Sequence, residues 1–435
     1  MSPLALPNSL WAATAEAPPE ATSLDDQVNV DVAIVGAGFN GLRAALVLAE
    51  AGKKVAVVDA GEIGWGASGR NGGQVNPIGH ESPETIRNRW GNRYGNDMVD
   101  RYTRFISDSA DSLFELARNH HIHCDAEQNG WIRAVHGNAA IKPFEELYQG
   151  WTDAGSELRL IDKEELSALS GTEGYLLGWV APQGGSIQPL SFARGLAHAA
   201  KAAGANLYSQ THVEKLIPSK QGGWQLASKR GLVTADQVLL CTNGYTDKLF
   251  PGIRETIVPV VSIQAATAPL TEHQNAHILP DRHTFADTRR VIFYFRKTAD
   301  NRLVFGSAGT GDELPNNNDR QRIKTGLKTV FPRLPDLTID YIWGGRIAVT
   351  QDHLPHIHNP APGLYTALGC NGRGVALSTA MGRLLADLTL GRDPESLPIP
   401  ITQPRPYPFH RFHRIGIKIA VPWKQFCDNR EVTRE

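Results

Sequence analysis

The chain opens irregular and polar, then turns abruptly apolar. Residues 1–27 are rich in Pro, Ala and Ser, hold one isolated large ring, Trp11, and read as a surface arm. From Val28 the run Val30-Asp31-Val32-Ala33-Ile34-Val35 is nearly all apolar and β-branched, the pattern of a strand buried on both faces. A glycine turn follows, then Leu42, Ala45, Leu46 and Ala49 at helical spacing, Gly52 as a stop, and a second buried strand at 54–58. Together they predict a β-α-β unit.

The same alternation returns twice. Residues 189–203 predict a helix with Leu190, Ala193, Leu196, Ala197 and Ala200 on one face and Gly204 as its stop. Strands are expected at 205–208, 213–217, 224–227 and 237–241, then a strand at 364–368 and an apolar helix at 375–390. The intervening segments differ. Residues 81–170 are polar and helix-rich. Residues 255–310 alternate as antiparallel strands, with 291–296 and 302–306 joined by the turn Thr298-Ala299-Asp300-Asn301. The fold class expected is α/β combined with α+β, as two interleaved domains. One would comprise 28–80, 171–254 and 341–400; the other 81–170 and 255–340, an antiparallel sheet; 401–435 would form a tail.

Composition narrows the function. The chain has 435 residues, 41% hydrophobic and 20% charged, enough for two or three domains at roughly 150 residues each. A net charge of -1 argues against a chain-wide nucleic-acid binder. Cys124, Cys241, Cys370 and Cys427 are scattered, which excludes a disulfide framework and a Cys-rich zinc site and fits a reducing, cytoplasmic setting. No apolar run is long enough to span a bilayer, and no secretory signal is expected before Arg43, the first basic residue.

Gly36-Ala37-Gly38-Phe39-Asn40-Gly41 is a G-x-G-x-x-G motif between the first strand and its helix, and Asp59 ends the second strand. That context makes it a dinucleotide-binding, Rossmann-like fingerprint. Gly36 allows the tight turn, Gly38 lets backbone approach a pyrophosphate, and Gly41 lets helix and strand pack closely. The helix start offers N–H groups to phosphate, and Asp59 can accept from ribose hydroxyls. An acid here disfavours a 2′-phosphate; the motif itself leaves FAD and NAD open.

The next segment decides. Ala60 leads into Trp65-Gly66-Ala67-Ser68-Gly69-Arg70-Asn71-Gly72-Gly73-Gln74, which resembles the D-amino-acid-oxidase-like superfamily of FAD-dependent oxidoreductases, and most of all its γ-glutamylputrescine-oxidase-like members. Cys241-Thr242-Asn243-Gly244, Gly344-Gly345-Arg346, Thr350-Gln351-Asp352 and Gly369-Cys370-Asn371-Gly372-Arg373-Gly374-Val375 extend the likeness over about 28–395. The resemblance implies a glutathione-reductase-like FAD domain and a substrate domain. It implies adenine contact through the main chain at Val213, phosphate or ring contacts from Ser68, Arg70, Asn71 and Gln74, and a helix start at 371–375 facing the flavin. It implies hydride transfer from a C–H beside an amine nitrogen to flavin N5, then imine hydrolysis to an aldehyde or keto acid. Substrates would be a polyamine derivative such as a γ-glutamylated amine, or an amino acid, with O2 reoxidising the flavin and H2O2 released. A quinone-linked D-amino-acid-dehydrogenase-like enzyme and a non-catalytic flavin-binding protein are the alternatives.

Two departures stand out. Covalently flavinylated relatives carry a cysteine near the position of Gly345-Arg346, so non-covalent FAD is expected. Relatives that use a lysine to promote reaction with oxygen carry it on a strand matching 303–306, where this chain has none. For the substrate pocket the expected residues are Gln74, Tyr294, Arg296, Trp343 and Arg346, an inward arginine binding a substrate carboxylate. Tyr294 as sheet core and Arg296 as a solvated edge residue remain equally open. The groups His120-His121-x-His123 and His353-x-x-His356-x-His358 lack metal-site spacing, and no metal is expected. Phe409, Phe412, Ile415, Ile419, Trp423 and Phe426 recur at helical spacing among Arg411, Arg414, Lys418 and Lys424. This tail is read as a basic amphipathic helix, broken near Pro422, either docked on its own domain or a neighbouring subunit, or peripheral at the inner membrane face.

Overall fold

The computed structural model describes residues 4–220, 222–309, 311, 313–334 and 337–432. Its first sheet has nine strands. At its centre Gln27–Val35 lies parallel to Leu232–Leu240 on one side and to Val55–Val58 on the other, with Val35 opposite both Leu240 and Val58. Asn206–Tyr208 and Leu364–Leu368 extend the parallel core outward, and His356–Ala361 and Ile401–Thr402 follow at one edge. Lys215–Pro218 and Trp224–Ala227 branch off as antiparallel strands. The helices Phe39–Glu50, Pro189–Ala202 and Gly374–Thr389 pack in a row, Phe39–Glu50 in the middle. Val32, Ile34, Leu42, Ala45, Leu196, Leu384 and Leu385 bury together between these helices and the sheet.

The second sheet has eight strands: Ile339–Val349, Val258–Pro269, Arg302–Ala308, Tyr294–Lys297, Thr284–Asp287, Trp131–Ala134, Gly178–Ala181 and Arg159–Ile161, in that order. Pairing is antiparallel except between Thr284–Asp287 and Trp131–Ala134. Phe285, Phe295 and Phe305 stack in a file across it. Ile339–Val349 and Gly178–Ala181 belong here, although both fell largely inside the other expected domain. Neither carries a local signal for which sheet it joins, since long-range pairing decides it.

Several expectations change. The strand expected at 291–296 shrinks to Tyr294–Lys297, because the Val291 and Phe293 N–H groups donate to the side-chain carboxylates of Asp428 and Asp287 instead of to strand carbonyls. Val213 precedes its strand and sits in a loop. The arm runs over the surface for most of its length, but its short helix does not. Leu10–Thr14 is a short helix capped by Ser9, and Trp11 is only 1% exposed. The tail helix, His413–Val432, runs through Pro422, with its later turns held by Asp428 against the Arg290 side chain and backbone. None of the described helices is long and apolar enough to cross a membrane.

Candidate active site

A cavity of about 600 Å3 runs from the glycine turn of the first sheet to the face of the second. At one end stand Asp59, Ala60, Val213, Leu249 and Phe250. Gly36 has φ +111°, and a side chain there would meet the Cys241 carbonyl at 2.8 Å. Gly41 does not line the cavity. A Cβ on it would lie 2.0 Å from the Gly36 oxygen, so it serves the close packing of helix on turn. Gly38, Phe39 and Asn40 line the cavity at the helix start, where the Phe39 N–H donates to Ser68 Oγ at 2.9 Å. The Asp59 carboxylate accepts from the Ala37 and Gly61 N–H groups at 2.7 and 2.8 Å. Burial raises its pKa, and those two bonds work against the rise.

The middle of the cavity is walled by Trp65, Gly66, Ala67, Ser68, Arg70, Asn71, Gly72 and Gln74, faced by Thr242, Asn243, Gly345, Arg346 and the turn Asn371-Gly372-Arg373-Gly374-Val375. Much of its polarity is already spoken for. Arg70 donates to the Trp65 and Gly344 carbonyls and lies 3.5 Å from Glu313, which leaves it a brace of the loop rather than a free phosphate ligand. The Asn71 amide closes on its own loop, accepting from the Gly73 N–H and donating to the Ala67 and Ser68 carbonyls. Gln74 Nε2 donates to the Phe285 and Phe295 carbonyls and so clips the loop to the antiparallel sheet. Gly73 lies behind the wall, and Gly244 borders a second, smaller cavity.

Of the five expected pocket residues, Gln74, Tyr294 and Arg346 line the cavity. Tyr294 shares a 2.5 Å hydrogen bond with Ser262 Oγ. Arg346 is paired with Glu313 at 2.6 Å, and Glu313 also accepts from the Tyr245 hydroxyl. Arg296 and Trp343 are corrections, because neither reaches the cavity. Arg296 donates to the carbonyls of Gly72, Ile187 and Lys297 beneath the loop, with the Trp11 ring over it. Trp343 is buried and donates to the Arg70 carbonyl at 2.9 Å. Both hold the loop from behind.

The far end was not foreseen. It is formed by Trp131, Arg133, His80, Ala286 and Ile292 beside Arg373. Arg373 donates to the Ile78 carbonyl and stacks over Trp131 at 5.2 Å. Burial pushes the Arg133 guanidinium down to about 10, and burial and then Arg133 push Arg373 well below the usual range. His80 Nε2 lies 2.5 Å from the Asn371 carbonyl and so carries the proton; burial, then the two arginines, keep the ring neutral. Among the described residues, three side-chain donors at this end are buried without a hydrogen-bond partner: Trp131 Nε1, Arg133 Nε and Arg373 Nε. Buried polar groups are nearly always satisfied, so three donors here ask for a ligand. Arg133 did leave a trace in the sequence, a lone charge inside the apolar strand Trp131–Ala134; Glu313, on a loop, left none.

The histidine groups build no metal site together. His120 lies 3.7 Å from Glu50, His356 3.0 Å from Asp352, and His358 Nδ1 2.8 Å from Thr402 Oγ1.

A parallel sheet with a glycine-lined helix start, joined to an antiparallel sheet across one long cavity, defines an enzyme that binds a dinucleotide cofactor and works on a small molecule. The chain belongs to the DAO family of FAD dependent oxidoreductases, whose model matches residues 31–388. It is 32% identical over 409 residues to the "Probable oxidoreductase OrdL" of Haemophilus influenzae, covering 92% of each chain. It is 30% identical over 387 residues to the gamma-glutamylputrescine oxidoreductase of Escherichia coli, covering 88% of this chain and 89% of that one. The fold is that of glycine oxidase from Geobacillus kaustophilus, with a TM-score of 0.70 at 22% identity over 84% of this chain and 96% of the other. The residues fit FAD: Asp59 and the helix start would hold its adenosine and phosphates, and the 70–74 and 371–375 segments its ring. The chain is an FAD-dependent amine or amino-acid oxidoreductase.

Proposed function

We propose that the substrate is an amine carrying a carboxylate, such as a γ-glutamylated amine or an amino acid, held by that carboxylate at Arg133 and Arg373. The observation that carries this is the pair of buried arginines, each with an Nε–H unpartnered and neither bonded to an acid. Two neighbouring cations in an apolar wall raise each other's energy, and a bound anion relieves both. The same field favours the neutral amine. The acids among the described lining residues, Asp59 and Asp247, both stand at the opposite end with Val213, leaving none to stabilise an ammonium. FAD, when bound, supplies the hydride acceptor. The residues need only position and desolvate: Trp131, Ile292 and Tyr294 exclude water, and Gln74 and Arg296 fix the loop that carries the ring.

Anaerobic bleaching of the bound flavin, screened over amines with and without a carboxylate, tests this. Arg133→Met is expected to raise KM for a carboxylated substrate about 10- to 100-fold and to leave an uncharged amine unaffected. Equal bleaching by both classes would sink the reading. We take dioxygen as the acceptor, with peroxide released. One observation favours a quinone instead: none of the described lining residues is a lysine. Peroxide appearing in step with aerobic turnover separates the two.

A further inference from the structure

The tail helix carries a face that the enzyme's chemistry does not use. Six of the eleven large apolar residues found exposed among the described ones lie on it or just before it: Phe409, Phe412, Ile415, Ile419, Trp423 and Phe426, at 47–78% exposure. At about 100° per residue, the four on the helix proper fall within an arc of about 80°. The opposite side is fastened down. Asp428 accepts from the Arg290 and Val291 N–H groups and from the Arg290 side chain, Glu431 pairs with Arg290 at 2.7 Å, and Val421 is buried. The outward face is therefore held in a fixed orientation.

Charge says what covers it. Arg405, Arg411, Arg414, Lys418 and Lys424 occur between Glu395 and Asp428 with no acid among them, and the acids that follow, Asp428 and Glu431, are turned inward onto Arg290. An apolar strip containing Trp and Phe, with Lys418 along one edge, Arg405 and Arg411 just before the helix, and a rigid body beneath, matches an anionic lipid surface: rings at the acyl boundary, cations among headgroups.

We propose that the helix His413–Val432 docks this protein on anionic membrane surfaces through Ile415, Ile419, Trp423 and Phe426, with the flanking basic residues facing the headgroups. The inner side of the same helix, at His413 and Ile417, walls a cavity of about 350 Å3 that shares Tyr245 and Arg346 with the larger one.

The test is co-sedimentation of the full chain with phosphatidylcholine vesicles with and without one-quarter phosphatidylglycerol. Substitution suits it better than truncation, because Asp428 and Glu431 bind the body. Expected are pelleting with the anionic vesicles only, a blue shift of tryptophan emission that Trp423→Gln removes, and release by salt. Arg411→Gln and Lys418→Gln should each weaken partitioning about fivefold. Ile419→Asn with Trp423→Gln should abolish it while flavin content and turnover stay unchanged. No binding to anionic vesicles overturns the proposal. So does a concentration-dependent dimer lost in Ile419→Asn, which would make the face an interface between two copies.

Discussion

The indole N–H of Trp11 donates to the carbonyl oxygen of Asn71 at 2.7 Å. It ties the first helix of the chain to the 65–74 loop that walls the cavity. The same ring meets Trp343 edge-on at 5.7 Å and lies over the Arg296 guanidinium at 5.0 Å, so three supports of the loop converge on one residue. Trp11→Ala should cost about 3–5 kcal/mol of stability and lower the retained FAD, and Trp11→Phe about 1 kcal/mol through the lost hydrogen bond. Thermal unfolding and flavin-to-protein ratio after gel filtration check it. An unchanged ratio in Trp11→Ala would show that the loop stands without its support.

Gly41→Ala drives a methyl into the Gly36 carbonyl oxygen, and backbone on both sides must give. A loss of about 1–3 kcal/mol and a largely flavin-free protein are expected. Gly416→Ala, in open space on the tail helix, is the matched control and should keep its flavin and gain up to about 1 kcal/mol of local helix stability.

Acid precipitation should release all the flavin into the supernatant. Cys370 does line the cavity, but its sulfur takes a hydrogen bond from Asn243 Nδ2 at 3.3 Å, and the wall at Gly345 and Arg346 offers no thiol. A yellow pellet that turns colourless in Cys370→Ser would show a thioether at Cys370 and overturn the expectation.

His358 gives a pH dependence of known sign. Burial, then the neighbouring His356, pushes its imidazole down to about 4, against an unfolded value near 6.5. The unfolded chain thus binds this proton first. The stability it contributes is fully present above about pH 6.5 and is lost as pH falls to 4, on the order of 2–3 kcal/mol. Chemical unfolding across that range should show a shallower acid-side decline in His358→Asn; a parallel decline in the variant would place the effect elsewhere.

Reading the chain alone recovered what local pattern encodes. Strand 364–368 and the helices around 39–50 and 189–202 follow from periodicity and glycine stops, and the tight turn at Gly36 from a backbone conformation that glycine alone adopts readily. What escaped depends on distant partners. Trp11 looked like part of a loose arm because its contacts, Asn71, Trp343 and Arg296, lie far along the chain. Arg296 looked like a pocket residue because alternation places it on the face of Tyr294, and only the Gly72–Gly73 backbone crossing over it reveals that it is covered. Arg133 drew no expectation at all, since a single charge in a four-residue apolar strand carries no motif until the sheet closes around it.

The pairing of Gln27–Val35 with Leu232–Leu240 also bears on how the protein is made. Val35 meets Leu240 across about two hundred residues of intervening chain, and the strand Leu364–Leu368, which completes that side, comes later still. During synthesis the first strand, buried on both faces in the finished enzyme, must wait exposed until more than half the polypeptide has left the ribosome. Contacts of such sequence separation close slowly and leave a sticky intermediate. The nascent enzyme is therefore most exposed to aggregation before its cofactor cradle exists, and recovery of soluble protein should depend on elongation rate and chaperone supply more than on the stability of the finished fold.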